Sequence, residues 1–362
     1  MQLYIHIPFC SSKCGYCAFN SFVSKQESYA PYINALCKDI TVSLNALKER
    51  VPNTTLQSVF IGGGTPNVLD SIFYQKIFAC FKEFLDSQCE ISIESNVNLI
   101  TRSWCEDLIA MGVNRLSIGV QSFNAKKLAF LEREHCIKDI FKAFENAQKS
   151  GFKNINCDII FGTPLDDKAL IQSECDNLEK LPLTHISAYC LSIDEGSRFA
   201  LKSPPKENLS QNCITQAQIL KERFFTQGFR QYEVSNYAKE GYICKHNLAY
   251  WQGKEYVGCG CGAVGRIKNV RYKANTALQE YIDNPHFREK EILSKQDLDF
   301  EEIMLGLRCE VGVDCQILNP QNLQILIESN QIYIQKNGIK NMAVARNFLL
   351  ADEITLWLSE KR

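Results

Sequence analysis

The chain has 362 residues and carries 40 Lys and Arg against 41 Asp and Glu, a formal charge of −1. At 45% hydrophobic and 22% charged residues it has the composition of a globular protein able to bury a sizeable core. Collagen-like, disordered and strongly basic classes are excluded, and no net positive field draws the whole molecule to nucleic acid. The 17 cysteines are an odd number. No signal peptide precedes them, and no apolar run approaches the roughly 20 residues of a membrane span. A cytoplasmic protein with reduced thiols is predicted, most of them packed as small hydrophobes.

In chain order, QLYIHI (2–7) reads as a strand, 28–50 as a helix and LQSVFIG (56–62) as a second strand. Residues 70–86 read as helical and EISIES (90–95) as extended. RSWCEDLIAMG (102–112) is a helix closing on glycine, followed by the strand RLSIGV (115–120). Residues 124–149 are mostly helical, and KNINCDII (153–160) is a strand. A helix over 167–180, the strand HISAYCLSI (185–193) and a helix over 208–227 complete the series. Six β-then-α units, on strands that read as apolar and buried on both faces, predict a parallel sheet covered by helices. A doubly wound sheet and a whole or partial (β/α) barrel both satisfy this pattern.

Past about residue 235 the alternation breaks. A Gly- and Cys-containing segment runs from Tyr237 to Gly265, and the charged stretch 287–302 reads as a linker. The remainder reads helix, helix, a strand pair over 330–345 and a last helix. The expected division is 1–235, 236–290 and 291–362. No fixed-period repeat or low-complexity tract is present.

Cys10, Cys14 and Cys17 form C-x3-C-x2-C on the loop directly after the first strand. Zinc sites usually take four ligands in two pairs, and no second pair lies nearby. A [4Fe-4S] cluster normally takes four thiolates, so three leave one iron open to another ligand. Gly62, Gly63, Gly64, Thr65 and Pro66 follow the second strand, where bare backbone can receive a carboxylate or amino-acid moiety. Glu94 ends the third strand, Gln121 ends the fourth and Asp158 lies in the fifth. Polar groups at the carboxyl ends of consecutive parallel strands converge on one mouth. Arg133 suits a carboxylate. In HNLAYW (246–251), His246 offers an imidazole ligand for heme iron, and Tyr250 and Trp251 offer flat faces for a porphyrin. The alternative is a loop whose aromatics pack on the barrel and whose histidine makes a backbone bond. His6 and His185 read as core residues, His135 and His286 as surface residues, and Cys259 and Cys261 as small residues in a tight turn.

C-x3-C-x2-C after an N-terminal strand resembles the signature of the radical S-adenosylmethionine (radical SAM) superfamily. The resemblance implies an α/β fold, a partial (β/α)6 TIM-like barrel. It also implies a [4Fe-4S] cluster on Cys10, Cys14 and Cys17 whose open iron is chelated by SAM. Tyr4-Ile5-His6-Ile7-Pro8-Phe9-Cys10 resembles the opening motif of the oxygen-independent coproporphyrinogen III oxidase group. That likeness places SAM contacts on Tyr4, Gly63, Gly64, Thr65, Glu94, Gln121, Arg133 and Asp158, with Tyr16 packing on adenine. The oxidase branch carries an N-terminal extension and a further Cys two residues after the cluster. This chain shows neither, and Phe19 stands at the place of that Cys.

HIPFC-x3-C-x-YC-x-FNS, GGGTP, GVQSF (119–123) and HNLAYW instead resemble the heme-chaperone branch, over nearly the whole chain. The C-terminal part resembles that family's small helical, winged-helix-like domain. The likeness implies heme as a further cofactor, on His246, and transfer to apo-hemoproteins such as respiratory cytochromes. It implies no nucleic acid, leaves peripheral membrane association open, and fits a monomer or a homodimer. The alternative is the oxidase activity itself, a radical SAM oxidative decarboxylation in porphyrin biosynthesis.

Overall fold

The computed structural model describes residues 1–201 and 211–359. The barrel units are β1 (Gln2–Ile7), α1 (Tyr29–Arg50), β2 (Leu56–Gly63), α2 (Ser71–Ala79), β3 (Leu85–Asn96) and α3 (Arg102–Met111). They continue with β4 (Arg115–Gln121), α4 (Ala125–Phe130), α5 (Ile137–Ser150), β5 (Asn154–Phe161), α6 (Lys168–Leu178), β6 (His185–Cys190) and α7 (Gln211–Thr226). Residues 208–210 of the last expected helix lie outside the described residues. The helix expected over 70–86 stops at Ala79, because β3 already begins at Leu85.

Then come β7 (Arg230–Gln231), β8 (Asn236–Ala238), α8 (Lys245–Trp251), β9 (Tyr256–Cys259), β10 (Val264–Ile267), β11 (Val270–Ala274), α9 (Leu278–Asp283) and β12 (Arg288–Ile292). All twelve strands share one sheet, in the order β12-β11-β10-β9-β1-β2-β3-β4-β5-β6-β8-β7. β9 and β1 to β6 are mutually parallel, and the flanking strands are antiparallel. The order runs sequentially from β1 to β6 without the reversal that defines a doubly wound sheet. The sheet is therefore a partial (β/α)6 barrel. The 236–290 segment continues it, with β9 lying beside β1 so that Leu3 faces Val257 and Ile5 faces Cys259.

The stretch expected as a linker, 287–302, is ordered structure. β12 pairs with β11 along five residues, from Arg288–Ala274 to Ile292–Val270. α10 (Lys295–Gly306) then starts from a reciprocal cap in which Ser294 and Asp297 satisfy each other's N–H groups. An edge strand whose residues are mostly exposed carries the charge pattern of a linker, and only the pairing partner distinguishes the two.

β13 (Val313–Asp314), α11 (Pro320–Glu328), the hairpin β14 (Ile332–Asn337) and β15 (Lys340–Ala345), and α12 (Ala351–Ser359) follow α10. The small sheet runs β13-β15-β14, and with its helices it encloses a second core around Leu307, Val313, Ile332 and Ile354. This helix, helix, hairpin, helix arrangement is winged-helix-like. Backbone bonds from Val234 N to Arg308 O at 2.8 Å and from Glu310 N to Tyr232 O at 2.8 Å tie it to the barrel. Among the described residues no helix is long and apolar enough to cross a membrane.

A candidate cofactor site at the barrel mouth

Side chains alternate across a strand, so each barrel strand presents one set to the helices and the other to the interior. Leu3, Ile5, Ile7, Val59, Ile61, Leu116, Ile118 and Ile186 form the outward, helix-facing set and are fully buried. The inward set is polar: Tyr4 and His6 on β1, Glu90, Ser92, Glu94 and Asn96 on β3, Arg115, Ser117 and Gln121 on β4, Asn156 and Asp158 on β5, His185 and Ser187 on β6. Both faces are covered, as expected, but only one is apolar. Buried polar groups need partners, and the interior supplies many of them to itself. His185 bonds Asn156 Oδ1 at 2.6 Å and Tyr232 Oη at 2.8 Å. Asn156 Nδ2 donates to Ser117 Oγ at 2.6 Å and Asp158 Oδ1 at 2.7 Å.

The cysteine loop leaves β1 at the carboxyl end of the sheet. Tyr4 donates to His6 Nδ1 at 2.9 Å, and His6 Nε2 donates to the Asn20 carbonyl at 2.9 Å. That relay fixes the far side of the loop to the barrel wall and sets the His6 tautomer. Asn20 Nδ2 then reaches Cys261 O at 3.2 Å and Thr276 O at 3.1 Å. The fully buried Cys259 and Cys261 thus serve the packing of their turn. At the near side, Arg198 bonds Lys13 O at 2.6 Å and pairs with Glu132. The Tyr16 ring meets Phe199 edge-on at 6.4 Å.

The Gly62–Gly64 turn packs under this loop. A Cβ on Gly64 would meet Phe9 O at 2.7 Å and Cys10 Sγ at 3.0 Å. On Gly62 it would meet Glu94 Oε2 at 2.7 Å. Gly63 has φ +113°, and its N–H donates to Glu94 Oε2 at 3.1 Å. Thr65 Oγ1 donates to Cys10 Sγ at 3.6 Å. Arg133 points an Nη at Cys14 Sγ at 3.5 Å and donates to Asn96 Oδ1 and Gly119 O, both at 2.8 Å. Among the described residues its buried Nε has no partner. Gln121, at φ +68°, covers Gly119 beside Arg133.

Charge at the mouth is under-compensated. Glu94 is pushed up to about 7, first by burial and then by Asp158. Asp158 is raised by burial, against donors on Ser187, Asn156 and Ser117. Burial likewise raises the Cys10 and Cys17 thiols. Among the described residues no three His, Cys, Asp or Glu side chains gather closely enough to hold one metal ion. The donor set, the glycine cradle and the orphaned Arg133 Nε fit a thiolate-held cluster with an amino-acid-bearing ligand beside it.

Tyr4, Cys10, Cys14, Tyr16, Cys17, Gly63, Gly64, Thr65, Glu94, Gln121, Arg133 and Asp158 thus belong to one end and wall of the barrel. His246 does not join them. It starts α8 at the opposite end, where its Nδ1 bonds Ser58 Oγ at 3.0 Å and its ring packs on Phe60 at 5.1 Å. Ser58 and Gly63 are five positions apart along β2, roughly 16 Å of strand. Burial, then Arg115, pushes His246 down to about 3, which keeps it neutral. Glu90 caps α8, accepting from Lys245 N at 3.0 Å and His246 N at 3.2 Å. His135 is a correction. It is buried, bonds Val120 O at 3.0 Å, and is pushed down to about 4. The residues missed by sequence reading are Asn96, Arg115, Ser117, Asn156 and Ser187. Their signal was the period-2 polar set within each strand.

The radical SAM superfamily pattern matches residues 4–173. The chain is 36% identical over its whole length to the heme chaperone HemW of Buchnera aphidicola subsp. Schizaphis graminum, covering 95% of that protein. It is 32% identical to HemW of Bacillus subtilis, over 86% of this chain and 84% of that one. The solved structure of the radical SAM enzyme coproporphyrinogen III oxidase (HemN) from Escherichia coli superposes with a TM-score of 0.79. That match has 22% identity over 99% of this chain and 89% of that one, a likeness of fold. The chain belongs to the HemW heme-chaperone family, within the radical SAM superfamily.

Proposed function

We propose that this protein binds heme and passes it to apo-hemoproteins, with a SAM-ligated [4Fe-4S] cluster at the barrel mouth. Cys10, Cys14 and Cys17 would hold the cluster. Gly63, Gly64 and Thr65 would border the methionine part of SAM, Glu94 would accept from its amino group, and Gln121, Arg133 and Asp158 would hold ribose or carboxylate. The cluster, when bound, supplies an electron to a ligand on its open iron. The protein's part is to orient that ligand and keep water away.

The observation that supports the reading is a groove at the barrel end away from the mouth. This groove of about 320 Å³, opposite the mouth and beside α8, is lined by Gln2, Ser58, Asp86, Lys245, Ala249 and Lys254 among others. Tyr250, on the same helix, is exposed. Cationic lysines and a flat aromatic face suit the carboxylates and ring of a porphyrin. His246 supports this end by locking α8 onto β2.

The test is heme titration of anaerobically reconstituted protein with SAM, followed by absorbance, with coproporphyrinogen decarboxylation assayed in the same preparation. Stoichiometric heme binding, transfer to an apo-cytochrome and no decarboxylation are expected. Decarboxylation with little heme binding would overturn the reading in favour of the oxidase.

A further inference from the structure

A cluster of buried ions touches the turn that carries Gln121. Ser122 N donates to Val120 O at 2.9 Å, so Val120, Gln121 and Ser122 form a three-residue γ-turn with Gln121 at its centre, at φ +68°. A turn of this hand is rare and strained for a residue with a side chain. His135 bonds the same Val120 carbonyl at 3.0 Å.

Glu174, on α6, grips the chain just past the turn. Ser122 Oγ donates to one of its carboxylate oxygens, and Phe123 N donates to the other at 2.7 Å. The two residues directly after Gln121 thus hang on one carboxylate. Lys127, on α4, holds that carboxylate in place. Its Nζ lies 3.6 Å from Glu174 Oε1 and donates to Asp166 Oδ1 at 2.6 Å. All three charged side chains are 2% exposed or less. Asp166 Oδ2 accepts from Thr163 N and Thr163 Oγ1, both at 2.8 Å. Gln216, on α7, donates to Asp166 O at 3.0 Å and accepts from Gly162 N at 3.0 Å. Three successive strand-to-helix units therefore converge on the support of one strained residue.

We propose that Glu174 is a positioning residue for the mouth, clamping Ser122 and Phe123 so that Gln121 stays in the γ-turn that sets its amide beside Arg133. A buried ion cluster is a weak source of stability, because apolar packing of like volume serves as well. A strained backbone, by contrast, persists only where its surroundings over-determine it. Bonds to Val120 O on one side and from Ser122 and Phe123 on the other supply that constraint. The inference rests on the reading of Gln121 as a SAM contact, whereas the clamp on the turn does not.

The experiment uses the full-length chain, first ligand-free and then cluster-loaded. Glu174→Met keeps the volume, removes both acceptors and leaves Lys127 and Asp166 as a balanced pair. In ligand-free protein, amide exchange at Ser122 and Phe123 is expected to quicken at least about tenfold, while Leu116 and Ile118 on β4 keep their protection. In cluster-loaded protein, equilibrium dialysis is expected to show SAM binding weakened about as far as in Gln121→Gly. Combining the two substitutions is expected to add less than about twofold, because the clamp then has no side chain to aim. Glu174→Gln still offers an acceptor to Phe123 N and is expected to restore SAM binding.

Unchanged exchange at Ser122 and Phe123 overturns the inference alone. So do additive losses in the double variant, full SAM affinity in Glu174→Met, or a Glu174→Gln as weak as Glu174→Met. A Gln121→Gly protein that binds SAM as tightly as the unsubstituted chain overturns the assignment of Gln121 to SAM, and this inference with it. If Glu174→Met does not fold, Ser122→Ala removes one of the two clamped groups without touching the ions, and the same assays decide by the same criteria.

Discussion

Two glutamates on the same face of β3 meet opposite fates. Glu90, at the base of the barrel, accepts from the Lys245 and His246 N–H groups, from Cys244 Sγ at 3.4 Å and from Ser92 Oγ at 3.5 Å. Glu94, four residues on and about 13 Å along the strand, accepts one hydrogen bond among the described residues, from Gly63. Glu90 is buried and Glu94 half-buried on one strand, yet only Glu94 is left with unmet capacity and a second carboxylate, Asp158, acting on it. Burial of a charge does not distinguish a site from a core. Unused hydrogen-bonding capacity at an open mouth does, because a ligand can supply the missing partners.

The largest effect should come from the mouth's own ligands. Cys14→Ser is expected to abolish the cluster, read as loss of iron, sulfide and visible absorbance after anaerobic reconstitution. A variant that retains four irons per chain would refute the assignment of Cys14. The base should behave in the contrary way. Glu90→Gln replaces one of the two oxygens that accept from α8 N–H groups with an NH2 donor and leaves Arg115 buried with less opposing charge. A loss of about 3 kcal/mol in urea unfolding is expected, with iron content per folded chain unchanged. A loss below about 0.5 kcal/mol would place Glu90 outside the architecture of α8.

Glu94 sharpens the comparison through its sign. Its folded pKa lies above its ordinary value of 4.5, at about 7. The folded state therefore binds the extra proton between those limits, and ligand-free stability falls as pH rises through that window. Glu94→Gln is expected to raise ligand-free stability at pH 8 by about 2 kcal/mol, where Glu90→Gln lowers it. The same carboxylate must be ionised to accept an ammonium. SAM affinity of cluster-loaded protein is expected to fall below pH 7, approaching about tenfold per unit, and to lose that dependence in Glu94→Gln. A flat wild-type profile from pH 6 to 8 would remove Glu94 from the amino-group site.

Much of this was legible in the sequence, and the reasons differ by region. The parallel β/α order could be read because the outward residues of β1 to β6 are apolar and each helix follows its strand. The cysteine loop and GGGTP turn could be read because spacing alone carries their chemistry. What could not be read was which end of the barrel each later segment reaches. His246 was expected on heme, but whether α8 packs at the base or the mouth depends on Glu90 and Ser58, 156 and 188 residues away. β12 looked like a linker because its pairing with β11 leaves charged residues in solvent. His135 looked like a surface residue because the local sequence is charged, while its partner is a carbonyl on β4.

The smallest effect concerns backbone strain. Gln121 ends β4 in the left-handed region at φ +68°, where a side chain other than glycine or asparagine costs of order 1 kcal/mol. Glu132, next to Arg133, shares that conformation at φ +55°. At the base, Glu90, His185 and His246 have none of it, and hydrogen bonds and ring packing hold their side chains. Strain held at Gln121 serves to turn its amide over Gly119 and beside the Arg133 guanidinium, so relieving it should separate stability from binding. Gln121→Gly is expected to raise stability by up to about 1 kcal/mol while weakening SAM binding several-fold. Urea unfolding and equilibrium dialysis on the same preparation read both quantities. If the glycine variant instead loses more than about 1 kcal/mol, the Gln121 side chain is part of the packing, and the strain is not held for the ligand.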